Sequence, residues 1–233
     1  LVYEDATHPK RNFGVEVTED ERFLFLTGFE GGAKGNPLYY RDLLQGDTEF
    51  KPIVAGYEFK FIPITNVDRK ILVLTNQRAP RYRVVEVDPN RPEESAWKTI
   101  IPEQPEVLSA VSPVGGKLIT LFLKDASHRA YLYGTDGTRE REITLPSLGT
   151  VGFAGGKKKD TEVFYTFTSF TFPTNIYRYD LASGRSSLHR ATEVDARTDV
   201  YETRQVFYES KDGTKIPMFI VHKKGLVLDG SHP

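Results

Sequence analysis

One phrase recurs along this chain about every 46 residues, and few folds accommodate so regular a beat. Apolar, strand-like runs stand at residues 23–26, 71–74, 118–123 and 163–167, each about 45 to 48 residues after the one before. A second position keeps the same time. Aromatic runs closing on an acidic residue appear as LYYRD, YRVVEVD, AYLYGTD and IYRYD, ending at Asp42, Asp88, Asp136 and Asp180, with offsets of 46, 48 and 44. Repeats of this length are single supersecondary units that cannot bury a face alone and must stack on their neighbours. Within the first unit, turn residues separate four short β-rich runs at 13–18, 22–28, 37–43 and 49–54. Four strands per 46-residue unit is the plan of a β-propeller blade. The spacing therefore predicts an all-β chain, a partial propeller of about four four-stranded blades over 10–54, 55–103, 105–146 and 149–192, with residues 1–9 as the tail of an earlier blade. A sandwich of short strands would share the composition but not the fixed phrase. Sustained helical periodicity is absent.

Composition narrows the class further. With 39% apolar residues, 12 Tyr and 15 Phe there is material for one large core or several small ones. No run approaches the roughly 18 to 20 apolar residues that span a bilayer, so no membrane partner is expected. The opening LVYEDATHPK has neither a basic head nor an apolar stretch, which argues against a signal peptide on the chain as it stands. The absence of cysteine removes disulfides and thiolate metal sites, and fits a reducing cytoplasm while leaving the periplasm open. Thirty-one basic residues nearly cancel 32 acidic ones, so no bulk field draws nucleic acid.

The last 33 residues read differently from the repeats. Runs at 204–208 and 215–221 flank Lys211-Asp212-Gly213-Thr214, and an Asp-Gly pair between apolar runs is a strong hairpin signal because both residues tolerate positive φ. The wording of this segment, YETRQVFYESKDGTKIPMFIVHKKGLVLDGSHP, closely resembles the opening of the peptidase domain in the prolyl oligopeptidase family, serine peptidases that cut short peptides after proline. The likeness extends through KKDTEVFYTFTSF, PEESAWKTIIPE and the start of the chain. What the resemblance implies is a seven-bladed propeller set between two pieces of an α/β-hydrolase domain. Residues 1–200 would then hold its last four blades, and residues 201–233 the first hairpin of a truncated peptidase domain. It further implies that the complete ring covers the active site and admits only short, proline-containing peptides. Acyl transfer through a Ser-His-Asp triad would lie beyond Pro233, without a cofactor. A free-standing interaction propeller is the alternative, but such a module has no use for the extra hairpin.

Catalytic residues are not expected within the chain itself. No serine has the small neighbours of a G-x-S-x-G elbow. Ser183 and Ser112 read as turn residues. His8, His128, His189, His222 and His232 read as isolated loop or strand histidines, with no pair at metal-ligand spacing. Gly31-Gly32-Ala33-Lys34-Gly35 lacks the spacing of a phosphate loop and joins two strands, while Lys157-Lys158-Lys159 reads as a solvated turn. Tyr39, Tyr40, Tyr131, Tyr133, Tyr177 and Tyr179 alternate within strands as blade packing requires, rather than as a platform for stacking bases. Trp97 is expected to cover a blade edge.

Resemblance also implies one peptide-facing loop. Family members present an arginine to the bound peptide on the loop leaving the second strand of what is here the first blade, with a cysteine lining the same pocket. Aligned through RFLFLT at 22–27, this chain carries Phe29 at the arginine position and Gly32 at the cysteine position. Replacing a five-donor cation with an apolar ring turns a hydrogen-bonded contact into one of stacking or burial. Either Phe29 faces a peptide or it packs beneath its own loop. Finally, blades cut from a closed ring leave end faces uncovered, so self-association is expected.

Overall fold

The computed structural model describes residues 3–193, 200–227 and 229–231. The four apolar runs become the second strands of four antiparallel meanders. β1 (Asn12–Val17), β2 (Phe23–Phe29), β3 (Leu38–Asp42) and β4 (Lys51–Val54) form the first blade. The second holds β5 (Phe61–Val67), β6 (Lys70–Thr75), β7 (Arg83–Val87) and β8 (Lys98–Ile101). β9 (Val107–Val114), β10 (Lys117–Lys124), β11 (Ser127–Gly134) and β12 (Arg139–Ile143) make the third. β13 (Thr150–Phe153), β14 (Glu162–Thr168), β15 (Asn175–Asp180) and β16 (Ser186–Arg190) make the fourth. Two single 3-10 turns, Leu43–Gln45 and Glu94–Ala96, interrupt the strands of the first two blades.

Side-chain burial follows from stacking. In β6, sandwiched between two blades, Ile71 to Thr75 are all buried, and a strand covered on both faces reads as an unbroken apolar run. In β14, only Val163, Tyr165 and Phe167 are buried while Phe164 and Thr166 between them are exposed, because one face has no neighbour. Three cores fill the spaces between blades. Phe23, Phe25 and Tyr40 meet Phe61, Ile71 and Val85. Leu72, Leu74 and Val84 meet Leu108, Leu118 and Phe122. Ile119, Leu121 and Leu132 meet Val151, Tyr165 and Phe167. The free face of the first blade is partly covered by the segment before β1, where the Tyr3 ring lies 4.8 Å from Phe13 and 6.0 Å from Phe50. Trp97 packs edge-on against Phe61 and donates its indole N–H to Pro92 O at 2.8 Å.

The recurring aspartates earn their places at the end of each third strand. Asp136 accepts from the Thr138 N–H and hydroxyl, and Asp180 from the Ser183 N–H and hydroxyl, so each carboxylate closes the turn into the fourth strand. Asp88 accepts from Asn90 N–H and pairs with Lys70, while buried Asp42 takes a 2.8 Å bond from Arg22. These bonds hold the carboxyls of Asp88, Asp136 and Asp180 below the ordinary range. A register shift also recurs between third and fourth strands, at Leu38/Tyr39, Val84/Val85, Leu132/Tyr133 and Ile176/Tyr177. Such a bulge adds the twist an outer strand needs.

β17 (Tyr201–Glu209) and β18 (Lys215–Lys223) form a separate hairpin, turning at Gly213 with φ 79°. Its root is seated on the blades. Gln205 donates to Asp125 O in the β10–β11 turn, Phe219 lies 5.3 Å from Phe170, and the Thr203 and Thr171 hydroxyls are 3.4 Å apart. Asp125, Phe170 and Thr171 all belong to connections between second and third strands. The hairpin thus marks one end of the blades.

Candidate functional site

Phe29 closes β2 at that same end, and the loop following it is fixed at its base. Gly35 N–H donates to Tyr57 O at 2.9 Å and Asn36 N–H to Phe59 O at 3.0 Å. The approach is so close that a Cβ on Gly35 would fall 1.9 Å from Phe59 O, which only glycine avoids. Asn36, buried, donates to Phe61 O at 2.8 Å and accepts from Phe61 N–H at 3.1 Å, tying the loop to the next blade. The tip is free: Gly32 is exposed and nothing lies within 4 Å of where its side chain would be. Phe29 is 52% exposed, and its ring lies over β1, where a methyl group on Gly14 would meet it at 3.4 Å. A ring buried beneath the Gly31-Gly32 loop would not be half open to solvent. Beside it Arg11 bonds Glu30 at 3.0 Å and Asp5 at 3.1 Å and lies over the Tyr57 ring. Bonds from Thr7, His8 and Arg11 hold the Asp5 carboxyl well below the carboxylate range.

At the opposite end, where first strands turn into second strands, all four blades meet around a cavity of about 390 Å³. Its wall takes Val17 and Thr18 from the first blade, Ile64 and Asn66 from the second, Val114 from the third, and Lys158 from the β13–β14 loop of the fourth. Polar groups converge at its rim. Asn66, 1% exposed, donates to Asp20 Oδ2 at 2.7 Å and to Asp68 O at 2.9 Å. Thr18 donates to Asp20 Oδ1 at 2.8 Å. Lys158 Nζ reaches Asp20 Oδ2 at 3.3 Å and Asn66 Oδ1 at 3.4 Å, while its backbone N–H donates to Glu19 Oε2 at 2.6 Å. Burial pushes the Asp20 carboxyl up, but the bonds from Asn66, Thr18, Arg22 N–H and Lys158 outweigh it and bring it down to about 2.

Relatives agree with this architecture. A family profile described as prolyl oligopeptidase, N-terminal beta-propeller domain, matches residues 1–192. The chain belongs to the prolyl oligopeptidase family. A prolyl endopeptidase of Elizabethkingia miricola is 37% identical over 226 residues, covering 97% of this chain and 32% of that protein. Prolyl oligopeptidase B of Galerina marginata, solved without ligand, superposes with a TM-score of 0.88 at 32% identity, over 99% of this chain and 34% of that one. The same fungal protein bound to a 25mer macrocyclization substrate gives a TM-score of 0.86 at 31% identity, over 99% of this chain and 33% of that one. The chain spans about a third of the length of these relatives.

Within this prolyl oligopeptidase propeller, the serines and histidines take structural places. Ser183 N–H and hydroxyl both bond Asp180, as a turn residue should. Ser112 lies inside β9 opposite Ile119 rather than in a turn, because β9 continues to Val114 before the glycine pair. Two histidines depart from the open, isolated reading. Val151 N–H donates to His128 Nδ1 at 3.0 Å, which joins the third blade to the fourth, and burial lowers the His128 pKa. His222 is 7% exposed, opposite Glu202 at 3.5 Å at the hairpin root. His189 meets Phe164 on the open face of the fourth blade, His8 sits in the Asp5 turn, and His232 lies outside the described residues. Among the described residues, no group of three or more His, Cys, Asp or Glu could hold a metal. Lys158 lies in an exposed turn, as expected, and its ammonium in addition reaches residues of two other blades. Its partners Asp20 and Asn66 escaped a linear reading too, yet they stand 138 and 92 residues before it and 46 apart, three, two and one blade lengths.

Proposed function

We propose that this chain is the propeller part and opening hairpin of a prolyl oligopeptidase-type serine endopeptidase that cleaves short peptides after proline, the propeller acting as cover and size filter. One observation carries the reading. The β17–β18 hairpin, read here as the opening of the peptidase domain, is seated at the second-to-third-strand end of the blades, and the Phe29 loop projects from that same end. A peptide held between propeller and peptidase would therefore meet Phe29 and Gly32, and the half-exposed ring offers a face to stack on rather than donors to bond. The nucleophile, its histidine and its aspartate belong to the peptidase domain. Cysteine-free composition favours the cytoplasm.

Testing compares two proteins: the 233-residue chain, and the same chain carrying its peptidase domain. The longer protein is expected to hydrolyse a post-proline reporter peptide and to react with a serine-directed phosphonate. The 233-residue chain is expected to do neither, since it has no G-x-S-x-G elbow. Labelling of a serine in the folded short chain, lost on denaturation, or inertness of the folded longer protein, would overturn the assignment.

A further inference from the structure

We propose that Lys158, Asp20, Asn66 and Glu19 form an electrostatic latch that joins the fourth blade to the first two across the axis and holds the arc of blades curled around its cavity. This goes beyond the peptidase reading and does not rest on it. Neighbouring blades are held by apolar cores, which are insensitive to charge, but the first and fourth blades share none of the three cores. Among the described residues, the polar contacts between these two blades come from Lys158: the ammonium to Asp20 and the backbone N–H to Glu19.

The latch is built rather than incidental. The loop bearing Lys158 is fixed to the third blade, where Gly115 N–H donates to Lys157 O at 2.9 Å and Gly156 N–H to Pro113 O at 2.9 Å. Gly115 has φ 59°, and a Cβ there would fall 2.6 Å from Asp160 O, so the close seating that aims Lys158 at the axis requires glycine. On the receiving side, Asn66 is buried and its amide is fully used, donating to Asp20 and accepting from Lys158. Fixed partners on both sides reduce the side-chain entropy that makes loose surface pairs nearly worthless. Even so, Lys158 and Asp20 keep 40% and 37% of their side-chain surface in solvent, which leaves the contact open to screening by salt. Ionic strength would then set how tightly the arc closes at the cavity rim, while the blades themselves stay folded.

The chain has no cysteine, so two introduced thiols can be spin-labelled without background. Arg69→Cys in the β5–β6 turn and Lys159→Cys in the β13–β14 loop are exposed, lie on the second and fourth blades, and leave the four latch residues in place. Electron-electron distances are compared at low salt and near 1 M, where the Debye length falls from roughly 10 Å at 0.1 M to about 3 Å. Lys158→Gln and Asp20→Asn are measured on the same pair of labels, with strand content checked by circular dichroism. A single narrow distance at low salt is expected, lengthening and broadening both in high salt and in either variant. An unchanged distribution across salt and variants would overturn the latch, since apolar packing alone would then hold the arc. So would a change in the variants without one in salt, which would assign the effect to packing rather than charge. The salt arm uses intact latch residues and decides the matter even if a variant fails to fold.

Discussion

Phe29 is the residue on which the proposed peptide contact turns. Half exposed over Gly14, it can be exchanged for arginine without burying a charge, so Phe29→Arg should move stability by no more than about 0.5 kcal/mol, the usual range for surface changes. In a protein that joins this chain to a peptidase domain, the proposed peptide contact predicts that the new donors reach a substrate carbonyl. A charged hydrogen bond is worth roughly 1.5 to 3 kcal/mol, so kcat/KM for a post-proline peptide should shift by about tenfold or more. A large fall in Tm with unchanged preference among peptides would instead make Phe29 a packing residue. Asp20 gives a residue-level test in pH. Its folded value of about 2 lies below the ordinary 3.8, so the unfolded chain binds more protons as pH falls through that interval and the contribution of Asp20 to stability drains away between roughly pH 5 and 2. With the carboxylate more than a third exposed, solvent screening reduces that contribution to about 1 kcal/mol. Urea melts across this range should show a shallower acid limb for Asp20→Asn, and identical limbs would place the charge elsewhere.

Between elements, the decisive link is Asn36. It satisfies both backbone groups of Phe61 at the start of β5, 25 residues away, and so fixes the path from the first blade to the second. Asn36→Ala leaves a buried N–H and C=O without partners and should cost about 1 to 3 kcal/mol, read as a lower urea midpoint; an unchanged midpoint would mean that water replaces the amide. Nothing in the sequence announces this residue, because its bonds are to backbone of another blade. The turn aspartates are the contrary case. Asp88, Asp136 and Asp180 bond groups two or three residues ahead, so the acidic close of each aromatic strand is visible as a repeated phrase. Strand ends are less legible: the sequence runs span 13–18 and 49–54, whereas β1 is Asn12–Val17 and β4 Lys51–Val54, since pairing with a neighbour, not local preference, sets where a ladder stops.

For the molecule as a whole, the uncovered faces are where association is expected. Phe164 and Leu188 on the fourth blade and Val15 and Val17 on the first are exposed, so we expect dimers or larger species by sedimentation at micromolar concentration, and a concentration-independent monomer would show these faces to be inert. Deleting residues 203–233 should change this little, because the contacts that tie the hairpin to the blades, at Thr203, Gln205 and Phe219, lie away from the exposed end faces. The sequence by itself determined the number of blades, the second strands and the turn chemistry. Each of these is written in contacts within a single 46-residue unit or in its apolar alternation, and the repeat restates them from blade to blade. Only the tertiary structure decided that Asp20, Asn66 and Lys158 meet at the axis and that the Phe29 loop shares an end with the hairpin. The physical reason is that a position gains a neighbour one, two or three repeats away only when stacked, twisted blades curl around a common axis, and that curvature is set by how the interblade cores pack.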